Sequence, residues 1–96
     1  MDKTKLLQHA RNVREVGYTV IRQQLNRTAV EKIAKAFWPI YDQHLEEIRT
    51  NPNRGPMRHY IQLPFQSPFY QSSIHGDPDI IAVVRLLIGE DAEMVQ

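Results

Sequence analysis

The sequence predicts an α+β fold, helix-rich, with about three helices and two or three short strands in one incomplete domain spanning residues 1–96. Three observations predict it. Three segments repeat apolar residues at the spacing of an amphipathic helix. Two short segments, Tyr18–Ile21 and Ala92–Gln96, read as strands. Five of the six prolines fall between positions 52 and 78, which makes the middle a loop-rich covering segment rather than a sheet.

The first helix is expected over Lys5–Glu15, where Leu6, Leu7, Ala10 and Val13 share a face and Gly17 stands where a helix stops. Tyr18-Thr19-Val20-Ile21 follows, aromatic and β-branched, and reads as a short strand. Asn26 or Thr28 can cap the second helix, and Thr28 with Glu31 fits a capping box. Val30, Ile33, Ala34, Phe37, Tyr41, Leu45 and Ile48 then form one apolar stripe. Pro39 lies inside it, so a kink or break is expected near Ala36–Trp38. Asn51-Pro52-Asn53-Arg54-Gly55-Pro56 is a loop by composition. His59–Leu63 has an extended pattern, and Pro64 and Pro68 keep Phe65–Ser73 irregular or briefly helical. Asp77–Gly89 reads as a complete helix, with Asp77 as N-cap, Pro78 at the first helical position and Gly89 as the stop. Ala92-Glu93-Met94-Val95-Gln96 then begins as a strand with no partner after it, so the chain reads as the opening of something larger.

Composition narrows the function. Twelve Lys and Arg against eleven Asp and Glu give a formal charge of +1, which makes no electrostatic case for nucleic acid or an anionic membrane. With no cysteine, disulfides, thiolate catalysis and Cys-ligated metals are excluded. No apolar run approaches the ~20 residues of a membrane helix, and Met1–Lys5 leads into no apolar leader segment, so a cytoplasmic protein is expected.

The candidate chemistry centres on His75-Gly76-Asp77. A His-x-Asp pair with a later His forms the facial triad of non-haem iron oxygenases. Here no His follows position 75, and Asp77-Pro78 has the form of a helix start. His75 and Asp77 are therefore set aside as metal ligands in favour of a helix cap. The other candidates read as structural. His44 lies beside the apolar stripe as a partly buried histidine, and His59 follows Arg58 as a solvated pair. Glu46-Glu47 is a solvated face, and Trp38 beside Phe37 belongs to the core. Phosphate loops, HExxH helices and nucleophile elbows are absent.

Three stretches taken together carry a resemblance. They are Arg14-Glu15-Val16-Gly17-Tyr18-Thr19-Val20-Ile21, the long helix from Thr28, and Asp79-Ile80-Ile81-Ala82-Val83-Val84-Arg85-Leu86-Leu87-Ile88-Gly89-Glu90-Asp91. In this order they resemble the N-terminal third of the phytanoyl-CoA dioxygenase family, Fe(II)- and 2-oxoglutarate-dependent oxygenases with a double-stranded β-helix (jelly-roll, cupin-like) core. The resemblance implies a helical cap plus the first barrel strand. In the family the metal-binding His-x-Asp follows the helix that ends in a leucine-rich "l-G-x-d" signature. His75-Gly76-Asp77 precedes that helix, so no catalytic, metal or cofactor position of the family falls within this chain.

What the resemblance leaves is the terminal strand, where Met94 and Gln96 share a face and are the substrate-facing candidates of a full-length relative. Fe(II), 2-oxoglutarate and a small organic substrate are implied for such a relative, and none of them for this segment alone, which is expected to show no turnover. The alternative expectation is a free-standing helical interaction or structural module without catalysis. In either case the unpaired terminal strand predicts self-association.

Overall fold

The computed structural model describes residues 1–95. These residues form four helices and no strand: α1 (Lys3–Val16), α2 (Arg27–Thr50), α3 (Ser72–His75) and α4 (Pro78–Ile88). The expected α+β architecture, with its short strands and the start of a double-stranded β-helix, is corrected to an all-helical one. By internal contacts the chain divides into two compact units. One comprises Met1–Gln24 together with the segment from Ser72 onward, and the other comprises Leu25–Gln71.

In the first unit α1 packs on α4. Ala10 of α1 and Val83 of α4 are its buried apolar side chains. Asp2 caps α1 by accepting the Lys5 N–H at 2.8 Å. Gly17 ends it in the left-handed region at φ 96°, which favours a residue without Cβ, and its N–H reaches the Val13 carbonyl. Arg14, in the last turn of α1, donates to the Leu86 carbonyl of α4 at 2.8 Å. That carbonyl is among the last four of α4, which have no partner within the helix, and a cation suits the negative end of the dipole.

The segment after α1 shows why no strand forms. Thr19 and Ile21 are half-buried while Tyr18 and Val20 are exposed, so the period-two alternation is present. Its attachments, however, are to a helix. The Thr19 hydroxyl lies 2.7 Å from His9 Nδ1 and accepts from Asn12 Nδ2 at 3.4 Å, both on α1. Among the described residues no strand presents a backbone edge to it, so the segment forms no ladder. Ala92–Val95 is likewise irregular, not a strand, and His59–Leu63 is irregular too.

In the second unit α2 runs unbroken through Pro39, so the expected break at Ala36–Trp38 does not occur. The missing proline N–H deprives one carbonyl of its donor. The stripe of Ile33, Phe37, Tyr41, Leu45 and Ile48, all half-buried, outweighs that loss. Asn26, not Thr28, is the cap: its Oδ1 accepts the Ala29 N–H at 3.0 Å. The Thr28–Glu31 box is replaced by an Arg27–Glu31 ion pair of 2.9 Å on the solvated face. Trp38, expected in the core, is 57% exposed.

Candidate functional site

Among the described residues one trio of histidine and carboxylate side chains gathers closely enough to share an ion: His44, Glu47 and His59, whose nearest ligand atoms all lie within 4.8 Å of one another. Two of them come from α2. A spacing of three residues puts His44 and Glu47 one above the other on the same helix face. Thr50 Oγ1 donates to the Glu46 carbonyl and the Asn51 N–H to the Glu47 carbonyl, each at 2.8 Å, so the turn carrying Glu47 is helical to its end at Thr50.

The third member arrives on a clasped loop. Asn53 holds both backbone groups of Tyr60, accepting its N–H at 2.8 Å and donating Nδ2 to its carbonyl at 3.0 Å. The Arg54 N–H reaches the Arg58 carbonyl, the Arg58 N–H reaches the Gly55 carbonyl, and the Arg54 guanidinium sits 5.3 Å from the Tyr60 ring centre. His59 is fixed in turn: its Nδ1 accepts the backbone N–H of Asn53 at 3.1 Å. The ring centres of His44 and His59 are 6.1 Å apart. His59 also lines an open groove of about 490 Å3, together with Phe37, Tyr41, Ile48, Arg49, Met57 and Ile61.

The sequence-derived candidates lie elsewhere. His75 closes α3 and Asp77 caps α4, on either side of Gly76. Asp77 Oδ1 accepts the N–H groups of Asp79 and Ile80, each at 3.0 Å. Gln24 Nε2 donates to both oxygens of Asp77 at 3.0 Å and to Asp79 Oδ2 at 2.9 Å. The Gln24 amide first, and then the Ile80 N–H, hold the Asp77 carboxyl below the ordinary carboxylate range; desolvation opposes them, and the Asp79 N–H and the chain's terminal ammonium lower it further. The Asp77 carboxylate thus serves as the cap of α4 and as the acceptor of the Gln24 amide. Met94, the described member of the substrate-facing pair, is 68% exposed at the edge of an open groove of about 330 Å3 lined by His75, Ile80, Val84 and Arg85. Gln96 lies outside the described residues.

From the sequence, His44, Glu47 and His59 read separately, as a structural histidine, a solvated carboxylate and one half of a solvated Arg58–His59 pair. The H-x-x-E spacing on a helix was visible. The fold-back that delivers His59 depends on the Asn53 clasp, which has no periodic signature.

Comparison with protein-family models, with curated proteins and with solved structures finds no match. No helix among the described residues is long and apolar enough to cross a membrane.

Proposed function

We propose that this chain is a non-catalytic helical docking module, and that its exposed apolar side chains are covered by a second copy of the same chain. One observation carries the reading. Among the described residues only Ala10, Ala29 and Val83 are buried apolar side chains, whereas Phe65 is 72%, Ile88 71% and Val95 83% exposed. Large apolar residues left in water at this density mark an interaction surface. In the second unit aromatic residues are prominent among them: Trp38 meets Phe37 and Tyr41 edge-on at 5.5 Å, and the Phe65 and Tyr70 ring centres are 4.5 Å apart. Aromatic anchors of this kind dominate association energies. A formal charge of +1 sets almost no repulsion between two copies, which favours a like partner. Trp38 is the single tryptophan, so its fluorescence reports directly on one anchor. On raising the protein concentration its emission should shift to the blue and lose accessibility to iodide. Emission and quenching that stay constant with concentration would remove the reading.

A second reading has its own support in the three stretches that resemble phytanoyl-CoA dioxygenases. In it the chain is the helical scaffold of an Fe(II)- and 2-oxoglutarate-dependent oxygenase that oxidises a small organic substrate, and the same apolar faces lie against a barrel built wholly from other residues. The Arg14–Ile21 and Asp79–Asp91 stretches favour it, because here as in that family they bracket a long helix. Reading the coding sequence past codon 96 tests it. An in-frame His-x-Asp with a later His supports the scaffold, and a stop codon directly after Gln96 contradicts it.

A further inference from the structure

We propose that His44, Glu47 and His59 form a binding site for a zinc-class divalent ion, which ties the Asn53–Tyr60 loop to α2. Two imidazoles and one carboxylate are a donor set that suits zinc, with the remaining position left to water. Zinc–ligand bonds of about 2.0–2.1 Å place tetrahedral donors roughly 3.3 Å apart. The donor atoms now lie within 4.8 Å of one another, so closing the trio by up to about 1.5 Å, the scale of a side-chain rotation, completes the site. Both histidines are half-buried and Glu47 is exposed, so an ion can enter from solvent while the imidazoles are already partly desolvated. The clasp of Asn53 on Tyr60 holds His59 near α2 before any ion arrives, which lowers the ordering cost of binding.

The hydrogen bond on His59 gives the site a distinctive signature. Nδ1 accepts the Asn53 N–H, so Nδ1 carries a lone pair and the ring proton of the neutral form is on Nε2. An ion bound at Nδ1 displaces that N–H outright. An ion bound at Nε2 requires the ring proton to move to Nδ1, which can then no longer accept. Either route breaks the bond between the Asn53 N–H and His59, so loading the site must alter the Asn53 amide.

The experiment is a titration of the metal-free chain with zinc chloride, followed by calorimetry and by amide NMR spectra. The expected result is one ion per chain, bound at micromolar concentration, with the Asn53 amide among the resonances that move most. His44→Ala, His59→Ala and Glu47→Gln should each weaken binding about tenfold or more, and Asn53→Ala, which loosens the clasp, by about tenfold. His9→Gln and His75→Gln should leave the affinity unchanged. Far-UV circular dichroism of each variant guards against simple unfolding, and the wild-type amide shifts stand independently of all variants. Absence of binding below millimolar zinc, more than one equivalent site, an unmoved Asn53 amide, or equal losses in the His9 and His75 variants would each overturn the proposal.

Discussion

Asp77 combines two tasks in one carboxylate, closing the first turn of α4 and holding Gln24 against it. Its pKa lies below the ordinary carboxylate value of about 3.9. The contribution to stability is therefore complete above that value and lost as the pH falls through the lower, folded one. The melting-temperature difference between the wild-type chain and Asp77→Asn should hold steady from neutral pH to about 5 and then narrow in more acidic buffer. Asp77→Asn keeps a capping oxygen, so its melting temperature should depend less on acid, while Asp77→Ala should melt lower at every pH. The neighbouring Gly76 is constrained by space rather than by dihedral angle: a Cβ there would lie 2.7 Å from the Ser72 carbonyl oxygen, a backbone atom of α3 that cannot swing away. Gly76→Ala should cost about 1–3 kcal/mol in denaturant melts, as overpacking against fixed atoms does. The cap at Asp77-Pro78 was legible because its whole signal lies within four residues. Its partner Gln24, 53 positions earlier, was not, because a side-chain amide has no sequence pattern that names its acceptor.

At the level of elements, helices and their ends were legible and pairing was not. The apolar stripe, Gly17, Asn26, Pro78 and Gly89 all locate helices by local physics, and the helices stand within two residues of where those signals put them. Alternation at Tyr18–Ile21 reads as a strand, and none forms there. It says nothing of whether another edge is available, and here side chains of α1 hold the segment instead. Pro39 is the opposite case, a strong local breaker overruled by packing along α2. Since α2 tolerates Pro39 at a cost, Pro39→Ala should raise its stability by up to about 3 kcal/mol and deepen the helical signal at 222 nm. A melting temperature unchanged by that substitution would mean the helix is distorted there for another reason. Asn26→Ala should act in the other direction, by about 1 kcal/mol, through loss of the bond to the Ala29 N–H.

At the level of the whole molecule, what stands out is how much apolar surface the described residues leave uncovered. The sequence does not show this, because a helical stripe has the same period whether it faces a core, a partner or water. Trp38 makes the point: its place beside Phe37 reads as core, yet it faces solvent. The His44–Glu47–His59 cluster escaped the sequence for the same reason in reverse, since residues with separate bland roles meet only once the loop has closed on α2. Charge balance was legible, and it bears on association: with a formal charge of +1, ionic strength should change the dimer's affinity by less than about tenfold between low and high salt. The central claim is that the exposed aromatic and aliphatic side chains are a surface for a second copy. Sedimentation equilibrium across a wide concentration range tests it most directly. A mass that rises reversibly from 11.2 kDa towards twice that value, and returns to the monomer in Trp38→Ser and Phe65→Ser, is the predicted result. A folded monomer of 11.2 kDa at every concentration would contradict it.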